Sequence, residues 1–525
     1  MRARFLRPSC FVFCLAFVAA CSGGGSPGDT DDVVVGVPGT IPTPPQPNPT
    51  PQPTPTPTPA VEFDARFIDL GKPGAYPSDL VIDRNGSLYT VDDAQIPAHL
   101  LRYPASGGDQ PTPRVAITAT HLIDSDGARP ANTPTLVDYG EGLFGAFTGD
   151  LEVVEDRWVF ATVSAGSSVS APGGSPLRLA NVVLIDAEQG GVVQTINLAW
   201  PKLWSGNYSN SGPYTVIPQS LPSQVAFVPN PDAPGTGRLF VACSNGAGDS
   251  NGISLWYQGT IQVWRVDFSK SQPITPDTTA RAPTDVTRTF VSQYYNPVGL
   301  THYQSAVGVN YLVLTDAGAS RFDENYVAHP ESDAMLEFLD LGTEQWRTNY
   351  EVNLGKILPS VQKIALGKDS LDRSFGAIAS QTFAAAYLVD FSGLDSNPVN
   401  PADVRLLRTI ETAEGGSQTV GSGFHPAIAM TPSSRTLVLS TFAPASLVVV
   451  GLPGDIEFGA IAVNPAPFAG ADLTAELSAG MGSLAIAPGN DRDVYVLTNG
   501  TLDFGSYLPK DPAYVATLTV RDRLP

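Results

Sequence analysis

Pro77-Ser78-Asp79-Leu80-Val81-Ile82-Asp83, then Arg84-Asn85-Gly86-Ser87, then Leu88-Tyr89-Thr90-Val91-Asp92 is the stretch that decides the fold. A short apolar strand runs into a turn built on Asn-Gly, which accepts the positive φ angles of a tight hairpin, and a second strand rich in β-formers follows. A third strand is expected at Leu100 to Tyr103. The same order returns six times, at Gly149 to Val163, Pro222 to Cys243, Pro297 to Thr315, Val361 to Ser380, Pro426 to Ser440 and Ser483 to Thr498. Aligning the second strands puts Tyr89, Phe160, Phe240, Val313, Ala377, Val438 and Tyr495 at one position, spaced by 71, 80, 73, 64, 61 and 57 residues. Such spacings suit a four-stranded sheet plus loops, with insertions in the second and third units.

A sheet this small has two faces that must leave water, and it cannot bury both alone. Radial packing buries each face against a neighbour. The expected fold is therefore all-β, a seven-bladed β-propeller over residues 61–525. Phe63 to Leu70 precedes the first unit and has no partner within it, while Tyr514 to Val520 follows the last hairpin. Pairing of these two segments would pin the chain start to the last blade. Two β-sandwich domains are the competing architecture, but they need a central linker, and no composition shift occurs after Pro59.

Part of the repeat resembles a known family. The run Asn181 to Ile196 has a strand ending in Ile185-Asp186, a turn at Gly190-Gly191 and a strand ending in Thr195-Ile196. It looks like the repeat of YVTN-type propellers. Pro222 to Pro229 with Leu239 to Asn245, and Val494 to Asn499, are similar to further segments of that repeat. The resemblance implies the propeller fold and says little of activity, because such propellers include binding proteins, hydrolases and lipoproteins of unassigned role.

The first sixty residues bear on location. Arg2, Arg4 and Arg7 precede an apolar run from Phe11 to Phe17, and small residues lead to Cys21, the layout of a secretory signal. Val18-Ala19-Ala20-Cys21 resembles the lipobox of bacterial lipoproteins, which implies a signal peptide over residues 1–20 and lipidation of Cys21. By analogy with the sorting rule of Gram-negative lipoproteins, Ser22 points to the outer membrane. Residues 21–60 read as a disordered Gly/Pro/Thr-rich tether, with 11 prolines in the 22 residues from Pro38 to Pro59. In polyproline conformation those residues reach about 70 Å, at roughly 3.1 Å each. The apolar run is too short to span a bilayer, so the only expected membrane contact is the lipid anchor. Loss of residues 1–20 removes three arginines and no acid, taking the formal charge from -21 to -24. A chain so acidic repels nucleic acid and anionic headgroups, so no nucleic-acid partner is expected.

Chemistry is sparse. Besides Cys21, the mature chain keeps one thiol, Cys243, in a strand-like run where a buried structural role is expected. The five histidines, His99, His121, His302, His329 and His425, show no metal-ligand spacing, and no nucleophile elbow is present. His425, in Gly423-Phe424-His425-Pro426, is the leading catalytic candidate. Lactonase-type propellers place a histidine before a proline at a similar point, and Thr431 to Arg435 resembles their turn. That resemblance implies a lactone hydrolase at the channel mouth with arginine and carboxylate partners. His302 is expected to approach the same channel from the fourth unit. The alternative for both is a channel-lining histidine with satisfied hydrogen bonds.

Asp83-Arg84-Asn85-Gly86 and Asn490-Asp491-Arg492-Asp493 resemble fragments of calcium loops but lack the spacing, and Asp and Asn suit such turns for backbone reasons. No cofactor is expected, although a divalent cation such as calcium in the central channel is left open. Aromatic residues gather on two polar insertions: Trp200, Trp204, Tyr208 and Tyr214 on one, Trp256 and Tyr257 on the other. Such loops either bind sugars, peptides and proteins or cap a core. The reading that emerges is an outer-membrane binding or scaffold module whose partner is an envelope protein or a glycan. Lactone hydrolysis is the alternative.

Overall fold

The computed structural model describes residues 63–520 except 70–76, 93–96, 106–109, 124–135, 139–142, 146, 166–178, 199–202, 209–211, 217–220, 249–253, 257, 278–286, 323–327, 412–426, 442–445, 453–465, 468–480, 499–501, 504–507 and 510–513. The signal, Cys21 and the tether lie outside the described residues.

Among the described residues, seven antiparallel sheets hold four or five strands each. We number them in chain order. Sheet 1 runs Pro77–Ile82, Leu88–Asp92, Ala98–Tyr103 and Arg114–Ile117; sheet 2 runs Phe147–Val154, Trp158–Ala165, Leu179–Asp186 and Gly191–Asn197. Sheet 3 runs Pro222–Pro229, Thr236–Cys243 and Gln258–Asp267, whose outer edge is shared by Ile274–Pro276 and Arg288–Tyr295. Sheet 4 repeats that split edge, with Pro297–Gln304, Asn310–Asp316 and Ala334–Asp340 inside Gln345–Trp346 and Val352–Gly355. Sheet 5 runs Ala365–Lys368, Ser374–Ala379, Ala385–Asp390 and Arg405–Glu411. Sheet 6 runs Ile428–Met430, Thr436–Thr441, Ser446–Gly451 and Ala466–Pro467. Sheet 7 runs Met481–Ile486, Asp493–Thr498, Tyr514–Val520 and, from the other end of the chain, Phe63–Asp69.

The arrangement is a propeller. Apolar clusters lie between successive sheets, from the 1–2 interface (Tyr89, Leu151, Val183) to the 5–6 interface (Phe375, Leu388, Leu439). Another joins sheet 7 to sheet 1 through Ile68, Leu80, Leu101 and Leu497. The inner strands of sheets 6 and 7 also touch. The aligned residues Tyr89, Phe160, Phe240, Val313, Ala377 and Val438 are fully buried, and each large side chain so buried contributes about 1.5–3 kcal/mol. Tyr495 is half-buried. The expected closure is present: Phe63–Asp69 pairs antiparallel with Tyr514–Val520, with Arg66 opposite Thr517 and Ile68 opposite Val515.

The fifth inner strand departs from expectation. It spans Ala365–Lys368 rather than starting at Val361. Pro359 makes an isolated bridge to Ser380, and Gln362 N–H then donates to Ser360 O (2.9 Å). The ladder is thus interrupted over residues 360–364, which releases Gln362 and Lys363 toward the axis.

The two ends of the ring differ. Tight turns join first to second strands at one end, where aspartates cap the backbone. Asp83 Oδ1 accepts from Asn85 N (2.9 Å) and Ser87 N (2.8 Å), and Asp369 Oδ1 accepts from Leu371 N and Arg373 N (both 2.9 Å). Asp186 and Asp340 do the same in later turns. Part of the chain's acidity is therefore turn chemistry. The opposite end carries five extra hairpins, at Leu136–Asp138/Leu143–Gly145, Leu203–Tyr208/Gly212–Val216, Gly246–Gly248/Ser254–Trp256, Ser320–Phe322/Ala328–Pro330 and Leu502–Asp503/Leu508–Pro509. Each lies either before a first strand or between a second and a third strand. Antiparallel order puts both kinds of connection at the same end. We call it the insertion end.

Candidate functional site

The inner strands surround the axis, and side chains near it tie the sheets together, with Gln362 of sheet 5 reaching both sheet 6 and sheet 7. Asp79 Oδ2 of sheet 1 accepts from Leu151 N of sheet 2 (3.2 Å), and Asp150 Oδ2 of sheet 2 accepts from Val225 N of sheet 3 (2.8 Å). Ser223 Oγ donates to Pro297 O of sheet 4 (2.7 Å). Thr301 Oγ1 accepts from Ile364 N (2.8 Å), and Gln362 Oε1 accepts from Ile428 N (3.1 Å). Gln362 Nε2 donates to Ser483 Oγ of sheet 7 (3.0 Å), whose hydroxyl donates to Asp79 Oδ1 (3.0 Å) and so returns to sheet 1. These polar residues are a girdle, and their hydrogen bonds are stronger for lying out of bulk water.

Lys363 crosses the axis. It stands on the interrupted stretch of sheet 5, and its ammonium pairs with Glu152 of sheet 2, lies 4.0 Å from Asp150 Oδ2 and reaches Leu151 O (3.5 Å). Burial opposes its charge, but Glu152 and Asp150 outweigh that and hold the ammonium above the ordinary lysine value. A lysine so held is a cationic strut and not a nucleophile. Burial pushes the Asp150 carboxyl well above the usual carboxylate range, with Lys363 acting against it.

His302 belongs to the fourth inner strand but near its turn, at the end opposite the insertions. Its Nε2 bonds Asn310 Oδ1 of the same hairpin (3.0 Å), and burial pulls its pKa below the ordinary value against the opposing charge of Glu152. It is a satisfied histidine. His425 lies outside the described residues. His121 Nδ1 bonds within its own turn, to Thr118 N and Oγ1 (both 3.1 Å). Among the described residues, no group of three or more His, Cys, Asp or Glu is placed to hold a metal ion. Asp83 Oδ1 and Asn490 Oδ1 accept from turn N–H groups, as backbone chemistry predicts, and Asp83 Oδ2 accepts from the Tyr89 hydroxyl (3.0 Å). Cys243 is buried in its strand.

The aromatic insertions are hairpins rather than open loops. Trp204 and Tyr208 fall on one strand and Tyr214 on its partner, with Tyr208 opposite Gly212 and Gly206 opposite Tyr214. Trp256 lies opposite Gly246 in the next hairpin. Trp200 and Tyr257 lie outside the described residues. The first hairpin touches the third strand of sheet 3, and the second touches the hairpin Ser320–Phe322/Ala328–Pro330 of sheet 4. Each described aromatic hairpin at the insertion end thus packs on a neighbouring element of sheet 3 or sheet 4.

Beneath it, between sheets 3 and 4, lies a buried acid pair. Ser292 Oγ donates to Glu337 Oε2 (2.6 Å) and stands 3.4 Å from Asp316 Oδ1, while Gln293 N donates to Glu337 Oε1 (3.0 Å). Burial, and then the neighbouring Glu337, raise the Asp316 carboxyl well above the usual range. Burial raises Glu337 as well.

At the tight-turn end the same two sheets flank a cleft of about 1330 Å³. Arg288 grips Glu344 with both terminal nitrogens, and Arg238 Nη1 lies 3.7 Å from the same carboxylate. Arg265 Nε donates to Asp277 Oδ1 (3.0 Å), and Arg347 pairs with Asp340. Sequence reading missed the cleft and the girdle. The girdle had a signal, a polar residue just before the first buried apolar one in several units (Asp79-Leu80, Asp150-Leu151, Ser483-Leu484). The cleft had none, because its arginines come from different strands.

No family model matches the chain, and no curated relative matches it either. Solved structures similar to it include hydrazine synthase of Kuenenia stuttgartiensis, at 9% identity over 82% of this chain and 94% of that one, with a TM-score of 0.45. The β-propeller domain of Cps50 (Swd1) from Myceliophteria thermophila is similar at 8% identity over 87% and 100%, with a TM-score of 0.43. Virginiamycin B lyase from Staphylococcus aureus is similar at 9% identity over 87% and 100%, with a TM-score of 0.42. At such identities function does not transfer, and the propeller assignment stands on the sheets themselves.

Proposed function

We propose that this protein is a non-catalytic binding or scaffold module of the cell envelope, a seven-bladed propeller held to the outer membrane by lipid on Cys21. We assign one blade to each principal sheet, and we read the propeller as YVTN-like. Its working face is the insertion end, with the aromatic hairpins of the second and third units and the channel mouth, and its partner is an envelope protein or a glycan. The observation that carries this reading is the placement of all five described extra hairpins at one end of the ring. Chain length beyond the blades has been added where it builds one surface. The axial channel supports the same reading, because its described charges are spent on the girdle and on the Lys363 strut.

The test compares wild type with the Trp204→Ala/Trp256→Ala double variant in recovery of partners from envelope extracts and in glycan binding. Wild type should retain a partner that the variant loses by about tenfold or more, as removal of aromatic anchors does. Equal recovery overturns the surface. Turnover of any member of a lactone panel, abolished by His425→Ala, overturns the non-catalytic assignment. Cys21→Ser should release the protein from membranes, and continued fractionation with them overturns the anchor.

A further inference from the structure

We propose that the cleft between sheets 3 and 4 at the tight-turn end is a binding site for a small polyanion, an oligophosphate or a polycarboxylate. In this site an oxyanion of the ligand takes the seat that Glu344 occupies on Arg288 and Arg238. The site is at the opposite end from the aromatic hairpins and does not depend on them.

Charge is the first observation. The whole chain carries 30 cationic against 51 acidic side chains, yet the cleft is lined by five cationic and four acidic ones. The surplus is one positive charge, with each cation paired to an acid of the wall, and in an acidic protein it favours exchange of an internal carboxylate for an outside anion.

The second observation is how the cations are held. Arg288 has a side chain only 10% exposed, and its guanidinium lies 5.3 Å from the centre of the Phe290 ring. Arg238 is braced in the same way on Phe240, again at 5.3 Å. Both converge on one carboxylate. Two preorganised forks aimed at one point match the geometry of a phosphate or carboxylate, and arginine binds such groups bidentately.

The third observation is the origin of that carboxylate. Glu344 projects from the tight turn after the third strand of sheet 4, in a left-handed conformation (φ 57°), with its N–H donating to Asp340 O (2.7 Å). It is a tethered side chain that fills the anion seat from the cleft wall. The cleft beside it, at about 1330 Å³, exceeds the roughly 300–1,000 Å³ of a common small-molecule pocket. Asn230, Gln272, Thr275 and Asn310 add neutral hydrogen-bonding groups along it. A ligand with several anionic groups would take the Arg288–Arg238 seat and, farther along, compete with Asp277 for Arg265 and with Asp267 for Lys270.

The experiment is isothermal titration of the full chain with tripolyphosphate and, separately, citrate at low ionic strength. One saturable site is expected for at least one of the two anions, and which one binds distinguishes phosphate from carboxylate recognition. Glu344→Gln removes the internal competitor and should tighten binding about tenfold, while Arg238→Ala should weaken it about tenfold. Added salt should weaken binding throughout. Lys270→Ala, at a side chain 66% exposed, should weaken binding without disturbing the fold, and it serves if the arginine variant does not fold. Absence of saturable binding by both anions overturns the proposal. So does a Glu344→Gln protein that folds but binds no more tightly, because a purely structural ion pair would give that result.

Discussion

Replacing Lys363 by Met keeps the length of the side chain and removes the charge that joins opposite sides of the ring. Asp150 and Glu152 are then left facing the axis without their cation. Side-chain exposures are 31% for Lys363, 7% for Asp150 and 24% for Glu152, between those of a surface pair and a fully buried one. Surface pairs are worth about 0–1 kcal/mol, and breaking a buried one costs about 3–5 kcal/mol. A loss of about 2–3 kcal/mol is expected by interpolation. At about 2.1 cal/mol/K per residue, a propeller spanning residues 61–525 unfolds with an entropy near 1 kcal/mol/K, so the melting temperature should fall by only about 2–3 °C. Denaturant titration is therefore the better assay. A double-mutant cycle with Glu152→Gln isolates the pair, and Lys363→Met should cost clearly less once Glu152 is neutral. The pH dependence has a definite sign. The folded protein holds the Lys363 ammonium above its ordinary value of 10.5, so its contribution is complete below that value and fades only above it. The ammonium itself therefore adds no pH dependence below that value, and a change in the Lys363→Met deficit between about pH 7 and about pH 9 reports the raised Asp150 carboxyl that Lys363 holds down. A deficit under about 0.5 kcal/mol, or one that Glu152→Gln leaves unchanged, would refute the strut.

Two further outcomes follow from the packing. Because the Asp316 carboxyl is raised above its ordinary value of 3.8, the folded state keeps a proton that the unfolded chain releases. Its contribution is complete below that value and declines as pH rises toward the raised folded value, so Asp316→Asn should flatten the decline and match or exceed wild-type stability above neutrality; parallel pH profiles for the two proteins would count against it. At Gly299, an added Cβ would stand 2.6 Å from Gln362 O, a backbone atom that cannot swing aside. Gly299→Ala should cost about 1–3 kcal/mol in chemical unfolding, and an unchanged midpoint would contradict the close approach of sheets 4 and 5.

Much of the architecture was legible from local pattern. Asn85-Gly86 announces a hairpin through φ preference, and Gly86 does take a positive φ of 85°. The second-strand residues from Tyr89 to Val438 announce burial because most stand in nearly continuous apolar runs, such as Val159 to Ala161, Leu239 to Cys243 and Leu437 to Leu439. The partnership of Phe63–Asp69 with Tyr514–Val520 was readable because each was a strand without a mate. The interruption before Ala365 was not readable, since Val361 to Leu366 has an ordinary strand composition. Its ladder is interrupted where Gln362 N–H turns back to Ser360 O, a contact that strand composition does not announce. His302 illustrates the same limit: its sequence neighbours suggest a channel residue, while its hydrogen bond depends on where the hairpin brings Asn310.

The sequence by itself determined the repeating hairpin, the strand-rich class and the closure, because each depends on residues close in the chain or on a plain count of unpaired strands. Only the tertiary structure decided which side chains meet: Lys363 with Glu152 across 211 residues, Ser483 with Asp79 across 404, and Arg288 with Glu344 across 56. Ring closure brings such groups together through the rotation between successive sheets. That rotation is set by how the buried faces pack, and no run of neighbouring residues encodes it.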